Sequence, residues 1–149
     1  MSRTFKHSFG LDYPAEQVWR VAGSFGTLEA ISSGTDTCTL HDGGRVRQLT
    51  AGSAILWERL LSFSESDRTL SYKIFDTKSL SGPYGVGYVG TLSVEPTGAR
   101  TCKFVYQGTF EVQPGFTDDQ ASDAVRAFGE DCVRGIGRFL ANQSQAASI

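Results

Sequence analysis

Glu58 and Arg47 are the residues whose types and spacing could most directly do chemistry. Glu58 is a full charge inside the apolar segment 56–61, which otherwise has the composition of a β-strand. If residues 51–54 turn a hairpin, Arg47 of the preceding strand lies directly opposite Glu58. A carboxylate that faces an apolar interior has to be paired or protonated, because an isolated buried charge is too costly. Arg47 could supply that pairing, and Glu58 could then bind or protonate a ligand.

The pattern of its own strand gives a different direction for Glu58. Glu58 shares one strand face with Leu56 and Leu60, whereas the opposite face is the more apolar one. That opposite face carries Trp57, Arg59, Leu61 and Phe63. Hydrophobicity alone therefore slightly favours Glu58 outside, where Arg47 and Glu58 would form an exposed pair that contributes little to stability.

His7 is the second candidate for proton transfer. It shares one face of a period-2 strand pattern with Phe5, Phe9 and Leu11. His7 is therefore either a structural residue with a hydrogen-bond partner or a catalytic acid or base. His41 lies beside a glycine-rich turn and is expected to be solvated.

The sequence offers little that could hold a metal or a cofactor. Its three cysteines, Cys38, Cys102 and Cys132, are far apart and lack C-x-x-C spacing, which predicts reduced core thiols and no zinc site. Residues 85–90 match G-x-G-x-x-G, but the segment after them continues as a strand, whereas a dinucleotide motif needs a helix there. We therefore expect no metal and no cofactor.

Length and charge restrict the class of protein. The chain has 149 residues and a formal net charge of −2 without a basic stripe, which argues against nucleic acid as a partner. No uninterrupted apolar stretch approaches the ~20 residues that a membrane span needs, and the N-terminus lacks the apolar region of a signal peptide. We expect a cytoplasmic protein without membrane insertion, organised as a single domain over residues 1–149.

Hydrophobic periodicity divides the chain into three parts. A strand at residues 5–11 precedes a helix from about Pro14 to Ala22, and a second short helix is expected over 25–31. Six strands follow, at 35–40, 45–50, 55–63, 69–75, 84–94 and 101–112. A capping box at 117–120 then begins a long amphipathic helix that runs to about residue 142, and the tail 143–149 is expected to fray.

The order of these elements predicts an α+β fold built on an antiparallel meander, because the links between successive strands are short. One face of the seven-stranded sheet must be covered by the long helix. A strongly curved sheet that closes around a helix leaves a cavity between them. We therefore expect an internal cavity, and we expect the residues that carry the function to be among those that line it.

Short motifs along the chain add a family resemblance to this architecture. They are Tyr13-Pro14-Ala15-Glu16-Gln17-Val18-Trp19 with Phe25-Gly26 after it, Gly44-Arg45-Val46-Arg47, Glu58-Arg59-Leu60 and Leu70-Ser71-Tyr72. In this order they resemble the helix-grip (START-like) superfamily, closest to bacterial polyketide cyclase/dehydrase (SRPBCC) proteins, over nearly the whole chain. Ser32 stands where the superfamily's hormone receptors carry a carboxylate-binding lysine, so abscisic acid is not an expected ligand.

The resemblance implies which residues face the cavity. It directs Glu58 inward, against the strand pattern, with Arg47 beside it at the ligand. The other implied lining residues are Tyr72, Ile74, Tyr88, Gly90, Gln107 and Thr109 on the last three strands and Phe128 and Cys132 on the long helix. On the seventh strand the more apolar face is the opposite one, with Phe104, Tyr106 and Phe110. Tyr72 and Tyr88 could equally be ordinary core tyrosines with hydrogen-bonded hydroxyls.

Three functions stay open at this point. The resemblance implies that the cavity binds a small hydrophobic, carbonyl-bearing molecule, and that a cofactor-independent enzyme of the polyketide cyclase/dehydratase type (lyase or isomerase) could transfer protons through Glu58 and His7. The same cavity would serve a non-catalytic binding or carrier protein. A protein-interaction module is the third alternative. Ligand identity and oligomeric state, a homodimer included, are not determined by the sequence.

Overall fold

Seven strands and two α-helices make up the fold in the computed structural model of the chain, which describes residues 1–147. The strands are β1 (Arg3–Leu11), β2 (Thr37–His41), β3 (Val46–Ala51), β4 (Ala54–Ser64), β5 (Thr69–Lys78), β6 (Val89–Pro96) and β7 (Cys102–Phe110). The helices are α1 (Ala15–Ala22) and α2 (Asp118–Ala147), and single 3₁₀ turns cover Leu28–Ala30 and Asp42–Gly44.

The strands form one sheet in the order β1-β7-β6-β5-β4-β3-β2, and every neighbouring pair is antiparallel. This confirms the predicted α+β, helix-grip architecture. β4 shifts register against β5 between Trp57 and Glu58 and again between Leu60 and Ser62. Such irregularities bend a strand and increase its twist, which curves the sheet around α2.

α2 begins with the predicted capping box. The Gln120 amide donates to Thr117 Oγ1 at 3.1 Å, and the Thr117 amide donates to Gln120 Oε1 at 2.9 Å. The buried stripe of the helix comprises Ala121, Val125, Cys132, Ile136 and Leu140. No helix in the described part of the chain combines the length and the apolar character that crossing a membrane requires.

The largest differences between the predicted boundaries and the structure concern three elements. The sixth strand begins at Val89 and not at residue 84, because 84–88 form a loop in which Gly87 has a φ of +99°. The second helix is reduced to one 3₁₀ turn, and Gly26 within the predicted segment disfavours a longer helix. α2 continues to Ala147, past the predicted end at 142, whereas residues 148–149 lie outside the described part. Fraying of this end stays a prediction.

Candidate functional site

A cavity of about 390 Å³ lies between the inner face of the sheet and α2. Its apolar walls include Leu28, Leu49, Leu56, Ile74, Val125 and Phe128. The polar side chains that reach its interior from the strands and the 84–88 loop are Glu58, Tyr72, Tyr84, Tyr88 and Tyr106. A volume of this size, mostly apolar with a few converging polar groups, is typical of a small-molecule site.

Glu58 points into the protein and is paired there. The β3–β4 hairpin has the predicted register, with Arg47 opposite Glu58, and Arg47 Nε donates to Glu58 Oε1 at 2.7 Å. Both residues are only 4% exposed. The strand pattern predicted an exposed pair, and that prediction is wrong. Burial of both residues is possible because each charge is compensated by the other.

Arg47 is held on both sides and does not line the cavity. Its Nη1 donates to the Phe25 carbonyl at 3.1 Å. The guanidinium carbon lies 4.3 Å from the centre of the Phe25 ring and 4.6 Å from that of Tyr72. Among the described residues, Glu58 belongs to the cavity lining and Arg47 does not. In this position Arg47 holds Glu58, and its predicted contact with a ligand stays a prediction.

The electrostatics of this pair leave Glu58 as an acceptor for the cavity. Burial raises the pKa of Glu58, although Arg47 opposes that rise. Burial alone would lower the pKa of Arg47, but the Glu58 carboxylate and other neighbouring groups outweigh burial and the pKa is raised, so the guanidinium stays charged. In the described part of the chain, every side-chain nitrogen or oxygen that is sealed from solvent has a hydrogen-bond partner. The carboxylate oxygen of Glu58 that Arg47 leaves free is therefore open to the cavity.

Three tyrosines, which we call the tyrosine cluster, join their hydroxyls beside this acid. Tyr106 Oη lies 2.6 Å from Tyr72 Oη and 2.6 Å from Tyr88 Oη. Two glycines make room for the rings: a Cβ at Gly90 would overlap the Tyr72 ring, and a Cβ at Gly108 would come within 2.7 Å of Tyr88 Oη. Gly90 thus lies beneath Tyr72 and does not itself line the cavity.

Burial keeps the tyrosine cluster protonated. It raises the pKa of Tyr72, Tyr88 and Tyr106, and the negative charge of Glu58 adds to the rise for Tyr72 and Tyr88. Tyr84 also lines the cavity and packs against Tyr88, with ring centres 5.3 Å apart and ring planes tilted by 53°. The cluster therefore offers neutral hydroxyl groups to the cavity at physiological pH.

The structure brings together part of the set that the resemblance implied. Glu58, Tyr72, Ile74, Tyr88 and Phe128 all line the cavity. Gln107 and Thr109 do not, since they lie on the other face of β7, where Thr109 Oγ1 is 3.0 Å from Thr4 Oγ1. The inner face of β7 carries Phe104, Tyr106 and Phe110, each buried. On β7, the hydrophobic pattern therefore predicts correctly which face points inward, whereas the family resemblance predicted the opposite face.

His7 and Cys132 are also absent from the lining of the cavity. His7 Nε2 lies 3.1 Å from the carbonyl oxygen of Ser122 and 3.2 Å from its Oγ, so His7 ties β1 to α2. Cys132 is buried in the core, and burial raises the pKa of its thiol to about 12. Within residues 1–147, no three His, Cys, Asp or Glu side chains are placed to hold a metal ion.

Sequence reasoning missed Tyr106 and the mouth of the cavity. The alternation of Tyr106 with Phe104 and Phe110 was the signal for its inward position. At the mouth, the Ser33 amide donates to Asp131 Oδ2 at 2.8 Å and Ser33 Oγ donates to Asp131 Oδ1 at 2.5 Å, which ties the loop before β2 to α2. No local pattern could reveal a contact between residues that are 98 positions apart.

Comparisons with known proteins agree with this fold. The family model described as polyketide cyclase/dehydrase and lipid transport matches residues 2–142. A comparison with curated proteins gives no match. Among solved structures, the chain is similar to the protein XoxI from Bacillus cereus, with a TM-score of 0.82, 24% identity, and coverage of 95% of this chain and 97% of that one.

Two enzymes are among the similar solved structures. The Zhui aromatase/cyclase from a Streptomyces species has a TM-score of 0.71 and 17% identity, with 93% of each chain covered. Norcoclaurine synthase from Thalictrum flavum, in complex with dopamine and hydroxybenzaldehyde, has a TM-score of 0.73 and 16% identity, with 95% of this chain and 88% of that one covered. At these identities the likeness shows a common fold.

Proposed function

Because this chain belongs to the family of polyketide cyclases/dehydrases and lipid-transport proteins, we propose that its cavity binds a small hydrophobic, carbonyl-bearing molecule. The observation that carries the proposal is the joint presence of Glu58 and the tyrosine cluster in a mostly apolar cavity. Apolar walls supply affinity by desolvation, and the few polar groups fix the orientation of the ligand.

The chemistry that these residues support best is a cofactor-independent cyclisation or dehydration. Glu58 takes a proton from the carbon next to a carbonyl, and the resulting enolate carbon bonds to a second carbonyl carbon of the same molecule. The new alkoxide accepts a proton from water or from the tyrosine cluster, and the proton on Glu58 returns to that donor through water. Burial, which raises the pKa of Glu58, makes this acid a stronger base than a solvated one. The hydroxyls of the cluster donate hydrogen bonds to the developing oxyanion.

A non-catalytic binding or carrier protein is the second candidate, and one observation favours it. Glu58 is held by Arg47 at 2.7 Å, and this pairing stabilises the carboxylate as an acceptor and weakens it as a base. His7 lies against Ser122 of α2 and offers the cavity no second acid or base. In this case Glu58 and the tyrosines only orient the ligand.

Binding in the cavity is tested with prodan, a neutral dye that carries a carbonyl group. Ala124 lines the cavity from α2, whereas Ala141 is exposed on the same helix. We expect prodan fluorescence to shift on binding to the wild type and to Ala141→Phe, and Ala124→Phe to weaken the binding about tenfold or more by filling the site. Equal affinity in all three proteins would place the dye elsewhere and overturn the proposal.

Catalysis is tested with Glu58→Gln and a linear diketone whose intramolecular aldol condensation, with loss of water, gives a conjugated enone that is followed by its ultraviolet absorption. If Glu58 is the base, Glu58→Gln lowers turnover by about 100-fold or more and leaves the affinity for the diketone nearly unchanged. An equal loss of both supports binding alone. The matched control is Glu65→Gln, which removes a carboxylate from an exposed turn. Circular dichroism spectra of both variants establish that they are folded.

A further inference from the structure

The tyrosine cluster has one more proton than its internal hydrogen bonds use. Its three hydroxyls carry three protons, and Tyr106 makes two contacts of 2.6 Å, one to Tyr72 and one to Tyr88. Each contact uses one proton, whichever oxygen donates. One O–H therefore remains, and all three tyrosines line the cavity. The cluster presents one hydrogen-bond donor to whatever occupies the site.

Glu58 presents the complementary acceptor. Its Oε1 is taken by Arg47 Nε, and the remaining carboxylate oxygen is open to the cavity. Among the described residues, no hydrogen bond joins Glu58 to a tyrosine hydroxyl. The donor and the acceptor are thus separate, and the occupant of the cavity has to satisfy each of them.

The charge of this end of the site selects against an anion. The guanidinium of Arg47 neutralises Glu58, donates to Glu58 and to the Phe25 carbonyl, and does not line the cavity. An anionic group at this end would meet a carboxylate oxygen without a free cation. Arg134 does line the cavity, but its side chain is 63% exposed and lies near Glu130 at the surface.

We propose that the ligand is a neutral hydroxy-carbonyl compound, whose hydroxyl donates to Glu58 and whose carbonyl accepts the remaining proton of the tyrosine cluster. This rests on the proposed function, since it assumes that the cavity is the binding site. When the cavity is hydrated, water can make both of these hydrogen bonds. A ligand that displaces this water without replacing both hydrogen bonds loses affinity, which makes the pair a device for selectivity.

The test uses bicyclic probes of nearly equal size that displace prodan from the wild-type protein. A hydroxytetralone has both groups, the methoxytetralone of the same substitution pattern lacks the O–H, the matching tetrahydronaphthol lacks the carbonyl, and tetrahydronaphthoate is an anion. We expect the hydroxytetralone to bind about tenfold or more tightly than the methoxytetralone and the tetrahydronaphthol, and tetrahydronaphthoate to bind weakest.

Glu58→Gln gives the sharper test, because Arg47 fixes the direction of the new amide. Arg47 Nε retains the amide oxygen, so the amide NH₂ replaces the free carboxylate oxygen and turns the acceptor into a donor. We expect the preference for the hydroxytetralone to disappear and the methoxytetralone to bind at least as well. Glu65→Gln keeps the wild-type preference.

The outcomes separate the two proposals. Equal binding of the hydroxytetralone, the methoxytetralone and the tetrahydronaphthol to the wild type would overturn this inference and leave the proposed function in place. Failure of prodan and of every probe to bind would overturn both. Should Glu58→Gln not fold, the order of the probes on the wild type still decides.

Discussion

The buried pair of Arg47 and Glu58 shows how a charged residue is held at an otherwise apolar site. Arg47 Nε meets Glu58 Oε1 at 2.7 Å, and the guanidinium is enclosed by the rings of Phe25 and Tyr72. Neither charge would be tolerated alone, because removing an ion from water costs several kcal/mol or more. Loss of either partner has a different consequence for the one that remains. A buried carboxylate can take up a proton and become neutral, whereas a guanidinium cannot lose one.

This difference gives the prediction at the scale of the residue. Glu58→Leu leaves a buried guanidinium and is expected to lower the free energy of unfolding by about 3–5 kcal/mol. Arg47→Met costs less, because burial then protonates Glu58, and the double variant recovers much of the loss. Urea unfolding followed by circular dichroism measures all four proteins. Additive losses in the double variant would contradict the pairing.

The long helix α2 covers the cavity and packs very closely against the segment before β2. A Cβ at Gly135 would overlap the backbone of Ile31, whereas a Cβ at Gly137 would meet no heavy atom within 4 Å. The same segment is tied to α2 through Ser33 and Asp131. The approach of α2 to Ile31 therefore helps to set the position of the helix over the cavity.

The prediction at the scale of the element compares two glycines of one helix. Gly135→Ala must push α2 away from Ile31 and is expected to lower the free energy of unfolding by about 2 kcal/mol or more. Gly137→Ala adds a better helix former in open space and is expected to raise it by up to about 1 kcal/mol. Urea unfolding of both variants measures the difference. Equal effects of the two substitutions would show that the contact with Ile31 does not hold the helix.

At the scale of the whole molecule, four tyrosines surround one cavity. Because all four are buried or partly buried, the free energy of unfolding is expected to decrease at alkaline pH. Burial raises the pKa of Tyr72, Tyr84, Tyr88 and Tyr106 above the ordinary value of 10.0. Above that value the unfolded chain loses these protons and the folded protein keeps them. The folded state then binds more protons, so the free energy of unfolding falls as pH rises. The contribution is complete below pH 10 and is lost as pH rises through the folded pKa values.

The prediction at the scale of the molecule follows from this sign. Each buried tyrosine lowers the free energy of unfolding by up to about 1.4 kcal/mol per pH unit above pH 10. Tyr106→Phe removes one such group and is expected to make the decline less steep. Urea unfolding between pH 9 and 11 measures the slopes. Parallel slopes for wild type and Tyr106→Phe would contradict the buried, protonated state of Tyr106.

The sequence by itself determined the order of the elements, the capping box at Thr117 and Gln120, and the register that sets Arg47 opposite Glu58. These features depend on residues close in the chain or on the length of one hairpin, so local pattern is sufficient. The family resemblance added the inward direction of Glu58, which hydrophobicity had reversed. It failed for Gln107 and Thr109, because their strand simply buries its apolar face.

Only the tertiary structure decided which side chains meet in the lining of the cavity. The tyrosine cluster joins Tyr72, Tyr88 and Tyr106 from β5, the 84–88 loop and β7, and the mouth joins Ser33 to Asp131. Arg47 and Glu58 are neighbours by register, but their burial depends on Phe25 and Tyr72 closing around them. Which side chains meet across a core is set by how the curved sheet and the helix pack together. A local sequence pattern carries no record of that packing.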